Sequence, residues 1–272
     1  MLSEPYMQRA FLTALFLGPL CGLMGVFVTA RRMAFFSEAV AHSALAGVAL
    51  GLAFAWEPAW PMVGVSLAVA LLILWLKERT DLLTDTIMAL LMSGFMAAGV
   101  VGFSLLKGFR SELHRYLFGD ILSVGPSEVW LAFGIFVVVG GVVFSRLSQM
   151  TLLTVHEDLA HVSGLSVRWL NLGFVIILTL VVAASIRLLG IVLVTSLLVI
   201  PPATARNLAR NLRQEIVLSV VVGLVGGLGG IALSYLVNSP CGPTIVLTSV
   251  GLFLVSLAAH RIREVRSRSL PA

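Results

Sequence analysis

Apolar positions in this chain are not arranged as a one-sided stripe. They gather into nearly unbroken runs of 16 to 22 residues divided by short polar stretches. A run of that length crosses roughly 30 Å of hydrocarbon as a helix. The runs fall at Phe11–Ala30, Ala39–Trp56, Pro61–Leu76, Ile87–Leu106 and Val129–Phe144, and, after a more polar interval, at Leu170–Ile186, Leu188–Ala205, Ile216–Val237 and Thr244–Ala259. They predict an all-α polytopic membrane protein with about eight to nine transmembrane helices, in a single domain over residues 1–272. The pair around Arg187 is the weak point: only "IRLLG" separates two runs there, and an eight-span reading makes one of them a half-helix.

Composition agrees with the pattern. Hydrophobic residues make up 59% of the chain and charged residues 11%, against about 25% charged in an ordinary soluble domain. The first run is expected to be a retained span, because it is too long for a signal-peptide core and no basic segment precedes it. The net charge of +5 does not point to nucleic acid, because no basic face interleaved with aromatics occurs. The cations sit at the ends of runs instead: Arg31 and Arg32, Lys77 and Arg79, then Arg206, Arg210 and Arg213, and last the basic tail 260–272 with Arg261, Arg263, Arg266 and Arg268. These groups alternate consistently if all four face the cytoplasm, with the N-terminus outside. Lys107, Arg110 and Arg115 depart from that alternation. Cys21 and Cys241 have neither metal-ligand nor redox spacing.

Small residues recur at helical spacing in two places. Gly18 and Gly22 are four apart, as are Gly223 with Gly227 and Gly226 with Gly230. Such pairs let membrane helices approach backbone to backbone. No GxxxxGK[ST] phosphate loop is present, so any ATP chemistry belongs to a separate subunit. No nucleophile–base pattern suggests an enzyme, and no catalytic residue is nominated. Pro201 and Pro202 are expected to interrupt or end the seventh run, with a short amphipathic helix carrying Arg206, Arg210 and Arg213 after them.

Ionisable groups within apolar spans are costly and usually face a cavity, a partner or a substrate path. Glu38 and His42 stand at i and i+4, on one helix face. A carboxylate and an imidazole placed together form half of a site for a divalent transition ion. The same pair also reads as a snorkelling acid beside a hydrogen-bonded core histidine. Asp85, at the start of the fourth span, suits either an ion path or a helix N-terminus. Asp120 follows a glycine at a turn, and Arg187 can pair with a carboxylate. His114, His156 and His161 fit solvated segments better than a metal cluster.

Several ordered motifs then carry a resemblance over about 250 residues. "RRMAFFSEAVAHSALAGVALG", "HRYLFGDILSV", "RLLGIVLVTSLLVIPPATARNLAR" and "SPCGPTIVLTSVGLFL" resemble segments of the membrane permeases of zinc, manganese and iron ABC importers, the zinc-uptake type above all. The resemblance implies a type II ABC importer-like permease in the bacterial cytoplasmic (inner) membrane. It implies a homodimer with its path at the dimer interface, a cytoplasmic ATPase dimer and an extracytoplasmic metal-binding protein. It places the transient metal site on Glu38, His42 and Asp85, with no permanently bound cofactor. It places the ATPase coupling loop at 200–213, with Pro201, Pro202, Thr204, Arg206 and Arg210. Zinc is favoured as cargo, with manganese and iron as alternatives; a proton-coupled secondary transporter or a metal-chelate permease are the rival classes. Three departures stand out: Ser37-Glu38 where the family usually has Gly-Asp, no histidine in "LLMSGFM", and Pro201-Pro202 in place of Pro-Ala.

Overall fold

The computed structural model describes residues 4–105, 116–155, 159 and 162–268. The sites considered at His114, His156 and His161 therefore lie outside the described residues, as do Lys107, Arg110 and Arg115.

Every regular element among the described residues is helical. In chain order they are α1 (Pro5–Ala30), α2 (Ala34–Ala53), α3 (Ala59–Arg79), α4 (Thr84–Ser104), a 3-10 turn (Ile121–Ser123), α5 (Pro126–Ser145), α6 (Leu147–Val155), α7 (Val167–Leu189), α8 (Ile191–Leu208), α9 (Leu212–Val237) and α10 (Cys241–Arg268). Nine of the described helices are long and apolar enough to span a bilayer, all except the short α6. The upper of the two expected counts is the one seen. Both runs around Arg187 are full helices, and Gly190 turns the corner between them with φ +79°, a conformation that glycine adopts freely. Its backbone abuts that of Gly119, which itself has φ +68°. A side chain at either glycine would run into the other strand of the corner. The glycines of the "YLFGD" and "RLLG" segments thus close one joint.

Backbone packing divides the chain into two compact units. The first comprises residues 1–32, 121–136 and 196–272. Its frame is α1 against α9, then α9 against α10. Gly18 and Gly22 face Gly223 and Ser219 so closely that a Cβ on Gly22 would lie 2.6 Å from the Ser219 carbonyl oxygen, and one on Gly223 2.5 Å from that of Gly18. The Ser219 hydroxyl donates to the Gly22 carbonyl at 2.7 Å. The other glycine pair turns to α10, where Gly226 meets Ser249 and Gly230 meets Ile245. Two glycine faces on one helix thus serve two neighbours. In this unit Phe16 packs against Phe133 with ring centroids 5.2 Å apart.

Pro201 and Pro202 do not end a helix. α8 runs through both to Leu208, so residues 200–208 are its last turns, and no separate amphipathic helix follows. Proline leaves the carbonyl four residues back without its donor, here those of Leu197 and Leu198. Membrane helices tolerate proline where neighbouring helices pack around the bend, and the Leu198 carbonyl lies directly against Gly25 of α1.

The second unit comprises residues 33–120 and 137–195. Its centre is α2, packed between α3, α4 and α7. Gly47 of α2 sits against Pro61 and Met62 of α3, and Gly99 of α4 against Leu45 and Ala46 of α2. Phe36, Val40, Leu45 and Val48 of α2 are fully or almost fully buried. Burying such a side chain is worth about 1.5–3 kcal/mol in water; within lipid the gain comes from close packing instead.

All five tryptophans are exposed: Trp56, Trp60, Trp75, Trp130 and Trp169. In the second unit they mark two ends, Trp56 and Trp60 at the α2–α3 connection, Trp75 and Trp169 where α3 finishes and α7 starts. Tryptophan collects at the membrane–water boundary, so these positions bracket the hydrocarbon.

Candidate functional site

α2 is buried along most of its surface, yet Glu38 and His42 share a face that opens outward near its start. The Glu38 Oε1 and His42 Nε2 atoms are 4.0 Å apart, with the glutamate side chain 41% exposed and the imidazole 16%. Helical spacing fixes this adjacency, and the packed faces of α2 leave the pair no other direction. The His42 Nδ1 atom is buried without a hydrogen-bond partner. Leaving such a group unsatisfied costs on the order of 1–3 kcal/mol. The neighbouring hydroxyls do not relieve it: Ser43 donates to Val40 and Ser37 to Ala34, each within its own helix.

Asp85 lies in the first turn of α4, where Leu83 occupies the cap position, so its carboxylate favours the positive end of that helix without capping it. α2 and α4 run parallel, since Gly99 meets Ala46 and Gly102 meets Ala49. At 1.5 Å per residue, Asp85 is displaced along the axis by about 9 Å from Glu38 and about 15 Å from His42. The structure brings Glu38 and His42 together and leaves Asp85 apart. Among the described residues no three His, Cys, Asp or Glu side chains form a metal-holding group.

The five coupling candidates separate in the same way. Pro201, Pro202 and Thr204 are buried inside α8, and the Thr204 hydroxyl donates to the Ile200 carbonyl at 2.8 Å. Arg206 and Arg210 are exposed, with Arg213 just beyond. The turn that presents them is built locally. The Asn211 side chain accepts from the Gln214 backbone N–H at 2.9 Å, and Gln214 accepts in return from that of Arg210 at 3.0 Å. This reciprocal arrangement works as a capping box does. Asn207 donates to Ser256 at 3.0 Å and ties the end of α8 to α10.

The sequence offers Arg187 a carboxylate partner without naming it, and the structure supplies one. Arg187, at the end of α7, pairs with Glu57 from the α2–α3 connection at 3.5 Å. Together with Tyr116, Leu52, Pro58, Ala59 and Met62 they line a cavity of about 270 Å³. The separation of 130 residues between the partners hides the pair from any local pattern.

The geometry can be set beside known proteins. The sequence profile of the ABC 3 transport family matches residues 3–260. The chain belongs to that family. Over 249 residues it is 32% identical to the high-affinity zinc uptake system membrane protein ZnuB of Haemophilus influenzae, covering 91% of this chain and 95% of that one. It is 30% identical over 251 residues to the manganese import system permease protein ScaB of Streptococcus gordonii, covering 92% and 90%. The solved PsaBC of Streptococcus pneumoniae, in complex with Fab, matches with a TM-score of 0.84 at 28% identity, over 94% of this chain and 92% of that one. The helical architecture of the second unit is suited to presenting a polar pair from within a span.

Proposed function

We propose that this chain is the permease subunit of an ATP-driven importer that moves a divalent transition-metal ion into the cytoplasm of a bacterium. The observation that carries the reading is the Glu38–His42 pair: a carboxylate and an imidazole 4.0 Å apart on the open face of an otherwise packed span. Two ligands are half of a four-coordinate site. A second copy of the chain, related by a two-fold axis, would supply the same two and close it. The ion then has a site only where two permeases meet, and Asp85 acts as an approach or exit group rather than a third ligand from each chain. Such a site must release its ion readily, because conduction requires binding that is favourable but weak. Carboxylate and imidazole together suit zinc, which is favoured, and also accommodate manganese and iron.

Energy comes from a pair of cytoplasmic ATPase subunits that grip the exposed turn carrying Arg206, Arg210 and Arg213. Pro201, Pro202 and Thr204 act behind it, by setting the shape of the last turns of α8. A metal-binding protein on the outer side delivers the ion, and alternating access carries it across the cytoplasmic membrane. The test is reconstitution of this chain with a candidate ATPase and binding protein in liposomes. Zinc uptake that requires ATP supports the reading. Uptake driven by a proton gradient without ATP would replace it with a secondary transporter.

A further inference from the structure

At the end opposite the Glu57–Arg187 cavity, the second unit carries a different kind of opening. A groove of about 840 Å³ runs between the last turns of α3 and the first turns of α7. Its floor is apolar, formed by Leu71, Leu74 and Leu172, and its rim is basic, with Lys77 and Arg168. Trp75 and Trp169 flank it and are 55% and 72% exposed. Among the described residues the one acid lining it is Glu78, which meets Arg168 at 3.5 Å, with both side chains more than half exposed. Two cations against one carboxylate leave the rim net positive.

We propose that this groove holds an anionic phospholipid, its phosphate at Lys77 and Arg168 and its upper acyl chains along Leu71, Leu74 and Leu172. The two indoles place the groove at the boundary between head groups and hydrocarbon. A soluble anion would use the rim but leave the leucine floor bare. A zwitterionic lipid would cover the floor, but its ammonium group would oppose the basic rim and offset what its phosphate gains there. Only a ligand with a negative head and an apolar body uses both. The basic end of α3 is the end assigned to the cytoplasm, whose leaflet holds anionic lipids attracted by membrane-proximal basic groups. Glu78 competes with the phosphate for Arg168, so it limits how tightly the lipid is held.

Native mass spectrometry of the purified full chain, exchanged with equal amounts of phosphatidylglycerol and phosphatidylcholine, tests this. Phosphatidylglycerol should be retained in excess, and Lys77→Ala and Arg168→Ala should each reduce that excess by roughly fivefold. Glu78→Gln should increase it, a direction that a damaged fold would not produce. Equal retention of the two lipids, an excess that survives the Lys77→Ala/Arg168→Ala double variant, or a decrease with Glu78→Gln would overturn the proposal. Displacement of the lipid by millimolar inorganic phosphate would also overturn it, in favour of a free-anion site. So would a disulfide between two copies carrying Leu71→Cys, in favour of a protein partner in the groove.

Discussion

The two units of the molecule solve the problem of packing in lipid by different means. In the first, α1 and α9 meet through Gly18, Gly22, Ser219 and Gly223, with backbone against backbone and the buried Ser219 hydroxyl bonded across the seam. In the second, α2 is similarly enclosed but keeps one face for Glu38 and His42, and the unit's ends carry the Glu57–Arg187 and Glu78–Arg168 pairs. Close small-residue packing leaves no room for an ionisable side chain, whereas a span that must present one has to leave a face unpacked. The first arrangement gives a stiff frame and the second a place for chemistry.

That contrast can be broken most forcefully at the glycine seam. Gly223→Leu drives a side chain into the backbone of α1, where nothing flexible can yield. Overpacking usually costs about 1–3 kcal/mol, and here a loss of about 3 kcal/mol or more is expected, read as a large fall in the thermal midpoint of the purified protein. A variant as stable as the parent would mean that the seam is looser than the backbone contacts require. The opposite extreme lies at the Glu57–Arg187 pair, whose side chains are 62% and 44% exposed. Exposed pairs contribute roughly 0–1 kcal/mol, so Glu57→Gln should leave the midpoint almost unchanged. A fall as large as that at Gly223 would show that the pair holds the α2–α3 connection against α7 far more tightly than its exposure implies.

Much of this architecture is readable in the sequence, because hydrocarbon thickness sets the length of each apolar run. The Gly226/Gly230 and Gly223/Gly227 spacings gave the two packing faces of α9, and the i, i+4 rule gave the Glu38–His42 face. The sequence misleads at Pro201-Pro202. A rule drawn from water-soluble helices predicts a break, but α8 stays continuous with its Leu198 carbonyl packed against Gly25 of α1, and that contact is tertiary. Glu57 could not be assigned to Arg187 for the same reason. Asp85 was grouped with the pair by family pattern, and only the register of α4 against α2 shows its distance from His42. The lipid-facing groove was invisible because Lys77 and Arg168 look like ordinary end-of-span cations until α3 and α7 are placed side by side.

In the proposed function, Glu38 and His42 stand in the membrane to pass an ion. The most direct measurement is ATP-driven zinc uptake in proteoliposomes by Glu38→Gln and His42→Ala, with the parent and Asp85→Asn alongside and ATPase binding verified for each. Uptake is expected to fall in both pair variants by more than the roughly 10- to 100-fold that follows loss of a group merely supporting a ligand, and Asp85→Asn is expected to keep a substantial fraction. Undiminished uptake in both Glu38→Gln and His42→Ala would contradict that role, leaving the pair as a helix-packing feature.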